Sequence, residues 1–238
     1  MAVIIDGNNT PTAGGVGYGD GTELAFTSAG TSGQPLVSGG ASAPAFRPYT
    51  LPAADGSASQ ILQTNGSGVL SFATVATGFT LGTPIATTSG TTAEFTGIPA
   101  TAKVVFVNLQ GFSFDIGDQL RMQLGTASAY VTTGYIGGAA NVRSGNVCTV
   151  TNGGTSSFLL TLVGSPVAST TYNGGLTLTL LDSSTNIWCL QGTIWANNLN
   201  QMINIAGYIT LTDALTRIKF IPNSSGIFDA GSINISYS

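Results

Sequence analysis

The sequence predicts an all-β fold: an extended, glycine-rich N-terminal segment over residues 1–76, then an antiparallel, jelly-roll-like β-sandwich over residues 78–238. Three observations carry that expectation. Apolar and polar residues alternate in several stretches, no stretch sustains the 3.6-residue period of an amphipathic helix, and turn-forming clusters interrupt the chain at short intervals. Leu120-Arg121-Met122-Gln123-Leu124, Leu176-Thr177-Leu178-Thr179-Leu180 and Ile233-Asn234-Ile235-Ser236-Tyr237 each place every second side chain on one face, as a half-buried antiparallel strand does. Ile203, Ile205, Ile209 and Leu211 share one parity, and Asn204, Tyr208 and Thr210 occupy the other. Turn clusters at Thr88–Thr91, Thr151–Gly154, Asn173–Gly175, Asp182–Thr185 and Pro222–Gly226 divide this part of the chain into roughly eight to ten strands, the pattern of a sandwich or jelly roll.

Residues 1–76 read differently. Gly, Ser, Ala and Pro dominate, with isolated apolar anchors at Leu24, Phe26, Leu36 and Phe46. A repeat lies within this region. Gly30-Thr31-Ser32-Gly33-Gln34-Pro35-Leu36 through Gly40, then Phe46, matches Gly56-Ser57-Ala58-Ser59-Gln60-Ile61-Leu62 through Gly66, then Phe72, at a spacing of 26 residues. Periods of this order mark units that stack because none can bury its own apolar side chains. Gln34–Leu36 and Gln60–Leu62 are expected to be short strands, with Gly39-Gly40 and Asn65-Gly66 as the turns that follow. One unit holds about two sizeable apolar residues, too few to offset ordering some 20 residues at about 1–2 kcal/mol each. Partners must come from outside the segment, and identical copies wound around an axis would supply them.

Composition narrows the function. Only 7% of residues are charged, against about 25% in an ordinary soluble domain, so solubility rests on Ser, Thr, Asn, Gln and backbone amides. Six Lys and Arg oppose ten Asp and Glu, and the cations Arg47, Lys103, Arg121, Arg143, Arg217 and Lys219 are scattered along the chain. A nucleic-acid partner is not expected, because phosphate binding draws on clustered cations. No apolar run is long enough for a membrane-spanning helix, and the opening residues lack the basic and apolar regions of a signal peptide. Histidine is absent, which removes the commonest general base and any metal site built on imidazole. Cys148 and Cys189 stand alone without metal-ligand spacing and read as buried free thiols, with a disulfide as the other possibility.

Candidate sites resolve mainly into turns. Asp115-Ile116-Gly117-Asp118, with Arg121 beyond it, is the nearest approach to the paired carboxylates of a glycosidase, yet Asp and Gly in this order also make a turn between strands. Asp6-Gly7-Asn8-Asn9 and Asp182-Ser183-Ser184-Thr185-Asn186 offer oxygens but lack the closing Glu of a calcium loop. The Gly14–Gly21 stretch lacks the lysine and the following helix of a phosphate loop and reads as permissive backbone for close packing. Trp188, Trp195, Tyr130, Tyr135 and Tyr208 are candidates for a glycan platform. Trp188 and Trp195 are seven apart and should face opposite sides of a strand. No set of residues is read as catalytic, cofactor-binding or metal-ligating.

Pro52-Ala53-Ala54-Asp55-Gly56 through Gln60-Ile61-Leu62-Gln63-Thr64-Asn65-Gly66-Ser67-Gly68-Val69-Leu70-Ser71-Phe72 resembles segments common in bacteriophage tail-fibre and virion structural proteins. The opening Ile5-Asp6-Gly7-Asn8-Asn9 resembles the start of small marine-phage virion proteins. Phe95–Pro99, Val104–Leu109, Gln123–Gly125, Thr132–Tyr135 and Phe228–Ile235 resemble parts of a phage fibre domain. The resemblance implies a homotrimer in the virion, assembled in the host cytoplasm. Its N-terminal segment would attach to other virion proteins of tail or capsid, and its distal β domain would contact a host glycan or protein. A capsid decoration protein or head fibre is the alternative, and a glycan depolymerase the second alternative. Cofactor use and membrane insertion are not expected.

Overall fold

The computed structural model describes residues 12–75, 78–143, 148–162, 168 and 170–238. No helix occurs among them, and every pair of strands is antiparallel. The chain divides into two compact units, residues 1–77 and 78–238.

In the first unit the chain folds into three successive hairpins: β1 (Gly17–Gly19) with β2 (Leu24–Phe26), β3 (Leu36–Gly39) with β4 (Ser42–Phe46), and β5 (Gln60–Thr64) with β6 (Leu70–Thr74). The 26-residue repeat is reproduced contact by contact in the second and third. Leu36 pairs with Phe46 across one, and Leu62 with Phe72 across the other. The side chain of Gln34 accepts from Thr31 N–H at 2.8 Å, and that of Gln60 from Ser57 N–H at 2.7 Å. At the tips, Gly40 N–H donates to the Ser38 hydroxyl and Gly66 N–H to the Thr64 hydroxyl. The glycines opening each repeat lie against the aromatic rings: a Cβ at Gly30 would come within 2.5 Å of Phe46, and one at Gly56 within 2.6 Å of Phe72. Only glycine lets the ring lie that close to the backbone.

The first hairpin is a third, divergent copy. Each hairpin is entered through a turn closed by a backbone bond, from Gly15 N–H to Thr12 O, Gln34 N–H to Thr31 O and Gln60 N–H to Ser57 O. The third residue of each turn has positive φ: Gly14 at 76°, Gly33 at 84° and Ser59 at 69°, as a type II turn requires. Each hairpin then closes on a phenylalanine, Phe26, Phe46 or Phe72. The segment between the second and third hairpins ties them together, Leu51 N–H donating to Gly33 O, Thr50 N–H to Gly68 O, and Leu70 N–H to Thr50 O.

This unit has almost no interior. Of residues 12–75 only Thr27 is buried, and Leu36, Leu51, Ile61, Leu62, Val69 and Phe72 all remain exposed. Two strands have two faces, and neither face of these hairpins is covered.

The second unit is the reverse. Its nine-stranded sheet runs β13 (Thr149–Asn152), β12 (Ile136–Arg143), β17 (Gln201–Thr210), β16 (Ile187–Ala196), β15 (Tyr172–Asp182), β10 (Val104–Phe114), β19 (Phe228–Tyr237) and β7 (Thr80–Leu81), with β8 (Ile85–Ala86) also on β19. A four-stranded sheet runs β14 (Phe158–Leu159), β11 (Leu120–Gly125), β18 (Arg217–Pro222) and β9 (Ala93–Thr96). One hydrophobic core takes side chains from both, among them Val107, Leu176, Trp188 and Ile205 from the larger and Leu120, Met122, Ile218 and Phe220 from the smaller. The alternating stretches of the sequence are strands β11, β15 and β19. The second unit has more strands than the eight to ten expected, because β7, β8 and β14 are two-residue pairings too short to carry a period. At one end Phe112 stacks on Tyr172 at 5.0 Å, and Phe114 on Phe228 at 4.9 Å.

Ser59 is the one non-glycine among the three positive-φ turn positions, and its side chain costs energy there. Ser59→Gly should stabilise the protein by about 0.5–1 kcal/mol in chemical denaturation. Gly56→Ala should destabilise it by about 1–3 kcal/mol, because Phe72 must leave its seat.

Candidate functional site

The carboxylates singled out in the sequence hold backbone. Asp118 is 4% exposed. One of its oxygens accepts from Gly226 N–H at 2.9 Å, Ser224 N–H at 3.1 Å and the Ser224 hydroxyl at 3.0 Å; the other accepts from Gln119 N–H at 2.7 Å. Asp115 accepts from Ile227 N–H at 2.7 Å. Both therefore clamp the loop between β18 and β19 onto the turn between β10 and β11. Burial raises the Asp118 carboxyl's pKa, and the hydrogen bonds from Gly226, Gln119 and Ser224 together outweigh it, leaving the group below its ordinary value. Arg121 makes no hydrogen bond to Asp118 but lies near enough to feel its charge, donating to Asn223 Oδ1 and the Gly153 carbonyl, both at 2.6 Å.

Asp182 caps its own turn, accepting from Ser184 N–H, the Ser184 hydroxyl and the Thr185 hydroxyl, which hold its pKa down. Asp20 does the same at the tip of the first hairpin, accepting from Glu23 N–H, Thr22 N–H and the Thr22 hydroxyl. The Gly14–Gly21 stretch supplies the opening turn and β1 of that hairpin. Asp6-Gly7-Asn8-Asn9 lies outside the described residues. No group of three or more potential metal ligands occurs among the described residues. The grooves are shallow: one of about 480 Å³ between the first two hairpins has Asp20 as its only carboxylate, and one of about 420 Å³ beside β9 has only Glu94.

Three expectations need correction. Asn173–Gly175, read as a turn, lies inside strand β15, paired with Trp195, Ile194 and Thr193. Cys148, read as buried, is exposed, and Cys189 is half-buried; both are free thiols. Cys148 immediately precedes the edge strand β13, and Cys189 sits between the inward-facing Trp188 and Leu190, so strand parity turns it outward. Three of the six cations, scattered in sequence, come together in space. Register places Gln123, Lys219 and Glu94 side by side across the four-stranded sheet, with Arg217 next to Gly125 and Thr96 one row on. Arg121, Lys219 and Arg217 thus share its outer face. Lys219 Nζ lies 4.3 Å from the centre of the Tyr130 ring, Arg217 lies 5.6 Å from it, and the Tyr130 hydroxyl donates to Glu94. Burial and the Glu94 carboxylate raise the Tyr130 pKa well above its usual value. Only the strand register, which sequence alone does not give, brings these groups together.

The aromatic candidates divide by face. Trp188 is 1% exposed and Trp195 42%, on opposite sides of β16. Tyr135 is buried, its hydroxyl accepting from Leu124 N–H at 2.8 Å and donating to the Val131 carbonyl, and burial pushes its pKa up to about 12. Tyr208 lies on the outward face with Trp195. On that face Trp195, Met202 and Tyr208 are all exposed.

The depressed Asp118 pKa gives a signed pH dependence. Its stabilising contribution is complete well above the ordinary carboxylate value of 3.8 and is lost as pH falls through its lower folded value. Asp118→Asn should cost about 1–3 kcal/mol in denaturation at neutral pH and should flatten the acid limb of the stability curve. The sequence matches no protein-family model and no curated protein, so it is these surfaces that bear on function.

Proposed function

We propose that this chain is a non-enzymatic structural component of a bacteriophage virion. In this reading it is a short homotrimeric fibre, attached to other virion proteins through its hairpin unit and presenting a β-sandwich head to the host surface. The observation that carries the reading is the missing interior of residues 12–75. Three hairpins held by backbone bonds leave Ile61, Leu62, Val69 and Phe72 open to water, and an isolated two-stranded hairpin is marginal in water. Their apolar side chains gain about 25 cal/mol per Å² only when other chains cover them. Identical copies meet that need symmetrically, and a partner strand laid along a hairpin edge would meet it at a virion attachment point. One of the segments on which the likeness to phage fibre proteins rests, Pro52 to Phe72, covers β5, its turn and the start of β6.

The carboxylates support the non-enzymatic part of the reading. Asp115, Asp118 and Asp182 spend oxygens on turns and loops, and Asp20, which lines the groove between the first two hairpins, stands there without a second carboxylate. Asp118→Asn protein should therefore show unchanged behaviour in any glycan-clearing assay.

Sedimentation of the full chain tests the assembly. A particle of three 24.0 kDa chains is expected, and a well-folded monomer would refute the reading. The fragment 78–238, with its own core, should fold and compete with virions for host cells. Should it bind no cell while labelled full-length protein decorates capsids, the capsid decoration reading replaces host contact.

A further inference from the structure

The outward face of the nine-stranded sheet has a chemistry unlike the rest of the molecule. Strands β12, β15, β16 and β17 pair without a break from Ile136 to Val142, Asn173 to Thr179, Cys189 to Trp195 and Met202 to Tyr208, and none of the residues they turn outward is charged. Within this face Trp195 stands beside Asn173 on β15 and Met202 on β17, and one row away Thr193 lies between Gly175 and Asn204.

Two of the amides around Trp195 are oriented by the fold. Asn173 Oδ1 accepts from Gly111 N–H at 2.8 Å, at the bulge in β10. Asn204 Oδ1 accepts from the Thr193 hydroxyl at 3.0 Å. With each oxygen engaged, the amino group of each side chain remains as a donor to whatever lies on the face. Gly175, diagonal to Trp195, presents bare backbone to the face: a Cβ there would make only ordinary contacts, 3.7 Å from the Val107 carbonyl and 3.8 Å from Asn108 Oδ1, and its φ is ordinary. A half-exposed indole, oriented carboxamide donors on either side and bare backbone at glycine make a small built site.

We propose that this site binds a neutral saccharide, one sugar ring lying against Trp195 with its hydroxyls bonded to Asn173, Asn204 and Thr193. The ligand class follows from the chemistry of the face. An anionic ligand would find no cation on the outward parity of these strands; Arg143, which ends β12, lies on the other parity opposite Gln201. A protein partner would bury the Asn173 and Asn204 amino groups and need acceptors placed opposite both. A sugar supplies an apolar C–H face for the indole and hydroxyls that both donate and accept around its rim, and it carries no charge to desolvate. The inference deepens the host-contact reading of the head and rests on it for biological context, but its chemistry stands on this face alone.

The test uses the full chain and an array of neutral and anionic oligosaccharides, followed by titration with the neutral glycans that bind. The chain has only two tryptophans, and Trp188 is shielded in the core, so quenching of fluorescence by acrylamide reports on Trp195. Bound neutral glycan should protect Trp195 from quenching, with the same affinity at low and high salt. Trp195→Ala and Gly175→Val, which raises a branched side chain beside the indole, should each weaken binding by about tenfold or more without moving the unfolding midpoint. Trp195→Phe should retain part of the affinity. Binding to anionic glycans only, to none, or undiminished in Trp195→Ala would overturn the proposal. So would protection of Trp195 that rises with protein concentration in the absence of sugar, since a second copy would then cover the face. Host-cell adsorption is scored separately. Glycan binding without adsorption refutes the host-contact reading and leaves the site standing; adsorption without glycan binding does the reverse.

Discussion

A two-stranded hairpin has two faces and nothing of its own to cover either, and much of this molecule's organisation follows from that constraint. In each repeat a leucine and a phenylalanine meet across the strands, Leu36 with Phe46 and Leu62 with Phe72. The ring settles onto a glycine that has no Cβ to hold it away. The local geometry is closed by side-chain and backbone hydrogen bonds, so the hairpins have a definite shape. Burial, which supplies most of the stability of an ordinary domain, is what they lack. In the proposed assembly, other copies of the chain supply it.

The second unit solves the same problem internally. Alternation along β10, β15, β16 and β17 sends Val107, Leu176, Trp188 and Ile205 toward residues of the four-stranded sheet, and the outward parity is left for contact. With almost no charge to keep it in solution, that outward surface relies on amides and hydroxyls. Asp115, Asp118 and Asp182 serve as turn caps and loop clamps, Asp118 accepting four hydrogen bonds. A surface of this kind is indifferent to salt and offers hydrogen bonds in both senses, which suits recognition more than chemistry.

What could be read from the sequence was what depends on neighbours along the chain. Period-two alternation gave strands at Leu120–Leu124, Leu176–Leu180 and Ile233–Tyr237. A matched spacing revealed two hairpins, and the separation of Trp188 from Trp195 placed them on opposite faces. The first hairpin was illegible as a copy because its turn carries Gly14-Gly15 where the others carry a glutamine at the fourth position, and it stands closer to its neighbour than the repeat spacing. The strands β7, β8 and β14 are too short to show a period, and only pairing defines them. The cation and tyrosine cluster at Arg217, Lys219 and Tyr130, and the oriented amides beside Trp195, depend on register between distant strands. Cys148 was misplaced because the general preference of cysteine for burial yields to position beside an edge strand.

The central claim is that the hairpin unit takes its missing interior from other copies of the chain. Hydrogen exchange on the assembled full-length protein tests it residue by residue. The account predicts strong protection of the amides of β5 and β6 at high protein concentration, falling on dilution while those of β15, β16 and β17 stay protected. Amides of β5 and β6 that exchange at unstructured rates in the concentrated protein, beside a fully protected second unit, would contradict it.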